Sequence, residues 1–285
     1  MGEERARRIP TELEIEVLQH LASEGHIARE GRIVIENESD HSCWHALVNC
    51  ALVCKAWTGY ARSHLYYAIN VESLRGRRQF ECLREYSHLR PFLREFKWPR
   101  GPLAPWVVPK YRFNPHDTDI IKNIAPTITK LRLLGVGYRF LSPPLKEAIS
   151  TFTNITELDM TGSLFENWTT VVRVVSSFPL LATLAMPCTS TLQDDDPDGP
   201  EISYPLPGHL VHIKLAFGCE TETVSWICKG SPIPNIQTVE AESKIDSSAL
   251  AKLLKSLGGS LRHLTIHIDS SRMFLISGLR RQNLL

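Results

Sequence analysis

One six-residue pattern returns along the second half of the chain: an apolar residue, two variable, an apolar residue, one variable, an apolar residue. It reads Ile128-Thr-Lys-Leu131-Arg-Leu133, Ile155-Thr-Glu-Leu158-Asp-Met160 and Leu181-Ala-Thr-Leu184-Ala-Met186. It continues as Leu210-Val-His-Ile213-Lys-Leu215, Ile236-Gln-Thr-Val239-Glu-Ala241 and Leu261-Arg-His-Leu264-Thr-Ile266. Numbering of the central residues, from Leu131 to Leu264, spaces the copies 25 to 29 positions apart. A further copy, Leu93-Arg-Glu-Phe96-Lys-Trp98, lies upstream of a Pro-rich insertion from Pro99 to Pro115. The closing apolar-variable-apolar triplet alternates with a period of two, which predicts a strand with one face buried and the other wet.

Between the copies the apolar spacing turns helical, over Asp119–Ile124, Leu145–Phe152, Trp168–Ser177, Thr223–Lys229 and Ser247–Leu257. The last is best marked: Ser247 or Ser248 as N-cap, leucines at 250, 253, 254 and 257, and Gly258-Gly259 as the stop. Strand, turn and helix at this period resemble a leucine-rich repeat. That resemblance implies an α/β fold whose parallel strands line the concave face of a curved solenoid, with helices outside. A doubly wound α/β sheet also alternates strands and helices, but its strands are buried on both faces and read as continuous apolar runs. Here the residue between the last two apolar positions is Arg132, Asp159, Ala185, Lys214, Glu240 or Thr265, charged in four of the six. That suits a strand wet on one side. Gly135-Val-Gly137 is too short for a dinucleotide-binding loop and reads as a turn.

In a parallel ladder the wet positions stack into rows. One row is Lys130, Glu157, Thr183, His212, Thr238 and His263; the central row runs from Arg132 through Asp159, Lys214 and Glu240 to Thr265; a third runs from Leu134 to Glu242 and His267. The candidate target-binding residues of this face are Lys130, Arg132, Glu157, Asp159, His212, Lys214, Glu240, His263 and His267. Neighbouring opposite charges also predict three internal pairs, Lys130 with Glu157, Arg132 with Asp159 and Lys214 with Glu240, each worth about 0.2–1 kcal/mol without any partner.

The N-terminal segment is helical in pattern instead. Ile9-Pro10-Thr-Glu12-Leu13, continuing through Val17, Leu18 and Leu21, gives one apolar stripe with Pro in the first turn. A second stretch, Leu47 to Trp57 and on to Ala61, is apolar beyond one face and is expected to be nearly buried in a small helical cluster. Ile9-Pro10-x-Glu12-Leu13, Val17-Leu18-x-His20-Leu21 and Ala51-Leu52-Val53-Cys54-Lys55-Ala56-Trp57 together resemble the F-box, closest to the version abundant in filamentous fungi. There His64-Leu65-Tyr66 and a strand such as Ala68–Val71 precede leucine-rich repeats.

The resemblance implies a helical F-box-like motif over residues 1–72, with a loop inserted at about 23–42, and a leucine-rich-repeat-like solenoid over 73–285. It implies docking on a Skp-type adaptor, through it a cullin–RING ubiquitin ligase, and a protein target held by the repeats. Carried over, Ile9, Pro10, Leu13, Val17, Leu18, Leu21, Leu52, Val53 and Trp57 form the adaptor-facing or packing set. Two features depart from the family pattern: Glu14 stands where an aliphatic residue is usual, and 44 residues separate Pro10 from Cys54. The same architecture without adaptor binding would be a protein-interaction scaffold.

Composition narrows the remaining classes. The 285 residues, 43% hydrophobic and 22% charged, suffice for one large domain or two ordinary ones. Lys plus Arg number 32 against 31 Asp plus Glu, and the balance is local as well as global, so no nucleic-acid footprint is present. No membrane span is read, and residues 1–10 lack the apolar stretch of a secretory signal, so cytoplasm or nucleus is the expected compartment. Seven cysteines lack a disulfide framework. His41, Cys43, His45, Cys50 and Cys54 fall within 14 residues, yet buried structural thiols are expected there rather than zinc. Asp194-Asp-Asp196-Pro-Asp198 lacks calcium-loop spacing and reads as a solvated acidic loop. No nucleophile motif is present, and Cys188, Cys219 and Cys228 have no His placed against them in sequence. No cofactor and no enzymatic activity are expected.

Overall fold

Each of the seven triplets becomes a strand, and an eighth strand precedes them. The computed structural model describes residues 16–17, 20, 39–53, 55–98, 115–187, 204–215, 220–230, 235–242 and 246–267. The strands are β1 (Ala68–Asn70), β2 (Glu95–Lys97), β3 (Lys130–Arg132), β4 (Glu157–Asp159), β5 (Thr183–Ala185), β6 (His212–Leu215), β7 (Thr238–Glu242) and β8 (His263–His267). They form one sheet in chain order from β1 to β8, every neighbour parallel. The order never reverses, whereas a doubly wound sheet requires such a switch point.

Register follows the repeat. Glu95 pairs with Lys130, Lys130 with Glu157, Glu157 with Thr183, Thr183 with His212, His212 with Thr238 and Thr238 with His263. The junctions share one device, a carbonyl just ahead of a strand that accepts two successive amides from the next repeat. Arg94 O takes Thr129 N and Lys130 N, Thr129 O takes Thr156 N and Glu157 N, and Gln237 O takes Arg262 N and His263 N. The same arrangement recurs at Tyr67, Thr156, Ala182 and Val211. It fixes register at the point where each strand begins, where a one-residue slip would turn every side chain to the wrong face.

Eight α-helices are described: α1 (Ser39–Val53), α2 (Lys55–Leu65), α3 (Leu74–Glu85), α4 (Pro115–Ile124), α5 (Pro143–Ser150), α6 (Trp168–Ser176), α7 (Glu220–Lys229) and α8 (Ser247–Leu257). From α3 onward they bury apolar residues in one continuous core with the inward strand residues. Phe80 of α3, Ile121 of α4, Val175 of α6 and Leu253 of α8 lie in the same cluster as Phe96, Leu131, Leu184 and Val239. A line of rings, Phe80–Phe96–Phe152, crosses it with centroids 6.2 Å apart at each step. The other strand face stays partly exposed, as the alternating burial of β3, β6 and β7 records.

Caps explain the helix starts. Ser73 accepts from Gly76 N ahead of α3, Asn167 from Thr170 N ahead of α6, and Asp246 from Ser248 N and Ala249 N ahead of α8. The α8 cap is therefore Asp246, not Ser247 or Ser248. These contacts hold the Asp246 carboxyl below its usual range, the Ser248 side-chain hydrogen bond foremost. Gly135 and Gly162, at φ 62 and 71, make the tight turns after β3 and β4, a backbone region that residues with a Cβ rarely adopt. Ser163, wholly buried, donates to Leu133 O and accepts from Val136 N, tying the turn after β4 to the turn after β3.

The two ends of the sheet differ. Helices α2 and α3 lie at the β1 end, and Ile69 and Val71 there are fully buried. At the other end the inward residues of β8, Leu264 and Ile266, are 42% and 48% exposed, although the repeat pattern places them in the core. No helix among the described residues is long and apolar enough to cross a membrane.

Candidate functional site

Two surfaces carry the residues singled out in the sequence. The first is the helical pair α1–α2. Leu47 and Leu65 form a small separate core with Val48, Cys50, Trp57, Tyr60 and Tyr66 packed against it. The expectation of a nearly buried stretch holds for Leu47 and Ala61 but not for the end of α1, where Leu52 is 80% exposed and Val53 66%. The reason is local: α1 meets α2 through the Leu47 side, so two consecutive apolar residues beyond it cannot both turn inward. Val17 is helical and half-exposed. Ile9, Pro10, Leu13, Leu18 and Leu21 lie outside the described residues, as do Glu14 and Cys54.

Of the five close His and Cys residues, His45 is exposed, and Cys50 is partly buried with its thiol pushed up by burial. The side chains of His41 and Cys43 lie outside the described residues. Among the described residues, no group of three or more His, Cys, Asp or Glu is placed to hold a metal ion. The acidic loop from Asp194 to Asp198, Cys188 and Cys219 also lie outside the described residues. Cys228, on α7, donates to Ser256 Oγ of α8 at 3.2 Å.

The second surface is the wet face of the sheet, where the predicted pairs rearrange. Lys130 and Glu157 do pair, at 2.8 Å between β3 and β4. Burial pulls the Lys130 ammonium down, but its hydrogen bond to Glu157 and the nearby Glu157 and Glu95 carboxylates outweigh this and leave it raised. Arg132 does not pair with Asp159. Its Nε lies 2.8 Å from Oε1 of Glu95 on β2, because Asp159 accepts instead from Thr161 N at 3.0 Å and Thr161 Oγ1 at 2.7 Å. Glu95 is only 6% exposed and also has Lys97 Nζ at 3.5 Å from Oε1.

Lys214 does not take Glu240 either. The Glu240 carboxylate instead lies between two imidazoles, His212 Nε2 of β6 at 3.2 Å from Oε1 and His267 Nε2 of β8 at 3.6 Å from Oε2. Among the described residues Lys214 has no ion-pair partner. His263 stands exposed at the start of β8.

The nine candidate residues therefore form two groups rather than one stripe. Lys130, Arg132, Glu157 and Asp159 sit on β3 and β4, while His212, Lys214, Glu240, His263 and His267 sit on β6 to β8. Between them β5 contributes only Thr183 and Ala185 to the wet face. Glu95 and Lys97 stand on the same face outside the nine candidates; the copy Leu93–Trp98 puts them in the rows of Lys130 and Arg132, and extending those rows one repeat upstream finds both. The face mixes charge of both signs with hydroxyls and imidazoles.

Comparison with protein-family models and with curated proteins finds no match to this chain.

Proposed function

We propose that the chain is the substrate-recognition adaptor of an SCF-type (Skp–cullin–F-box) ubiquitin ligase, its helical part docking on a Skp-type adaptor and its repeats holding a protein target. The observation that carries the reading is the exposure of Leu52 and Val53, which the F-box resemblance assigns to the adaptor-facing or packing set and which exposure places on the docking side of that choice. Two adjacent apolar side chains in solvent, at positions the resemblance gives to the motif, support a partner surface there. The chain-ordered parallel sheet with a core on one face favours a leucine-rich-repeat-like solenoid behind that motif. Its wet face, split into the β2–β4 and β6–β8 groups, is the surface proposed to meet the target.

Function on this reading is binding alone. One end anchors the chain, the other grips the target, and the tether raises the effective concentration of target lysines near the ligase. The test is co-expression with a Skp-type adaptor, comparing wild type with Leu52→Asp/Val53→Asp. Both positions are exposed, so the variant is expected to melt like wild type while losing stoichiometric capture. A folded wild type that captures no adaptor would overturn the proposal and leave a repeat scaffold outside the ligase.

A further inference from the structure

A single residue separates the end of α1 at Val53 from the start of α2 at Lys55. The exposed pair Leu52–Val53 sits at that corner, and neither side chain belongs to the small core that joins the two helices. Leu47 does belong to it, and Ala51, partly buried, lies one helical turn further along the same face. Leu52 and Val53 follow on the side turned to solvent.

A hydrogen bond from α2 reaches this corner. Thr58 Oγ1 donates to Ala51 O at 2.7 Å. Ala51 is among the last residues of α1, whose carbonyls a helix leaves without amide partners of its own. The bond therefore meets an acceptor at a helix end, and it ties the last turn of α1 to the first turn of α2 directly before the apolar pair. Thr58 is itself partly buried and β-branched, with few rotamers open to it, so the tie is short and stiff. Ser63 supplies the contrast. Its hydroxyl also donates to a carbonyl, Tyr60 O at 2.6 Å, but within α2, and so fixes nothing on α1.

We infer that Thr58 is a positioning residue of the docking surface: its hydroxyl holds the end of α1 so that Leu52 and Val53 project together before a partner arrives. The inference rests on the docking role proposed for that pair and names what orders it. Side chains and backbone already held in their bound arrangement need not be ordered on association, and that ordering is one of the main costs of binding. Without the tie the last turn of α1 is free to fray, because unpartnered helix ends open most easily.

The test compares the full chain as wild type, Thr58→Val, Thr58→Ser and Ser63→Ala. Valine keeps the branched shape and loses the hydroxyl, while serine keeps the hydroxyl. Hydrogen exchange of the free chain needs no adaptor. It is expected to show the amides of Leu52 and Val53 opening about 3- to 10-fold faster in Thr58→Val, with Thr58→Ser and Ser63→Ala close to wild type. Titration with a Skp-type adaptor is expected to show weaker binding of Thr58→Val by a similar factor, restored in Thr58→Ser. Exchange at these two amides, or adaptor affinity, that is the same in wild type and Thr58→Val would overturn the inference and leave the ligase reading standing. An equal loss in Ser63→Ala would also overturn it, since general weakening of α2 would then explain both variants. A wild type that captures no adaptor strikes the ligase reading itself, and the docking role of Thr58 falls with it.

Discussion

Glu95 offers the sharpest test of how the wet face is held. Its carboxylate lies 2.8 Å from Arg132 Nε, the same distance that separates Lys130 Nζ from Glu157 Oε1 one strand further on. The two pairs differ in burial, because Glu95 is almost enclosed while Lys130 and Glu157 are both partly exposed. At 2.8 Å and an effective dielectric constant of about 20, the gross attraction of either pair is about 6 kcal/mol. Solvent and side-chain entropy reduce the exposed pair to about 0.2–1 kcal/mol.

Removing one partner of a buried pair costs about 3–5 kcal/mol, and the partial exposure of Arg132 lowers this to roughly 1–3 kcal/mol for Glu95→Gln. The assay is a double-mutant cycle of Glu95→Gln with Arg132→Gln, read by urea unfolding beside the cycle of Lys130→Gln with Glu157→Gln. The expected coupling is about 1–3 kcal/mol in the first and below about 1 kcal/mol in the second. Equal couplings in the two cycles, or additive effects of Glu95→Gln and Arg132→Gln, would refute the argument that burial of Glu95 sets the strength.

Gly76→Ala tests a close approach. In an exposed helix this change stabilises by about 1 kcal/mol, but here the new Cβ would meet Asn70 O at 1.7 Å, so α3 must move off β1. Thermal melting is expected to show destabilisation of about 1–3 kcal/mol, and a neutral or stabilising result would show the contact to be soft. Tyr138, buried and stacked on Phe165 at 4.9 Å, has its phenol pushed up to about 12, by burial first and then by Glu166, with Arg173 opposing. The folded value lies above the ordinary 10.0, so this contribution to stability is intact below pH 10 and lost as pH rises toward 12, at most about 2–3 kcal/mol. Subtracting the ultraviolet titration of Tyr138→Phe from that of wild type should isolate one ionisation near pH 12; a difference step near pH 10 would contradict the burial argument.

Strand positions were legible because the repeat encodes them twice, through alternation within each triplet and through the spacing between copies. Helix α8 was legible to its bounds, since its leucines keep one face and Gly258 at φ 53 stops it. Helix α3 was not anticipated: its stretch contains Gly76 and four arginines, and only Ser73 as cap and the Phe80–Leu83 spacing mark it. Charge pairing was legible in kind but not in partner. Arg132 has a carboxylate on either side, and the choice of Glu95 over Asp159 rests on where Asp159 spends its lone pairs, which two residues further along Thr161 decides. Likewise Glu240 has Lys214 beside it in register but takes the imidazoles of His212 and His267. The exposed end of α1 could not be read from composition, because an apolar run does not say which of its residues the packing covers.

A sheet laid down in chain order also has a history written into it. Each strand finds its hydrogen-bonding neighbour one repeat away, so no early segment must wait for a distant one before its contacts form, and loop-closure entropy stays low at every step. Damage is local by the same logic. If the repeats act as a solenoid, a lesion in one weakens its two interfaces and leaves remote repeats standing, so order is lost in stages. The shared carbonyls at Tyr67, Arg94 and their successors are the stitches of that seam, each one tying the start of a strand to the repeat before it.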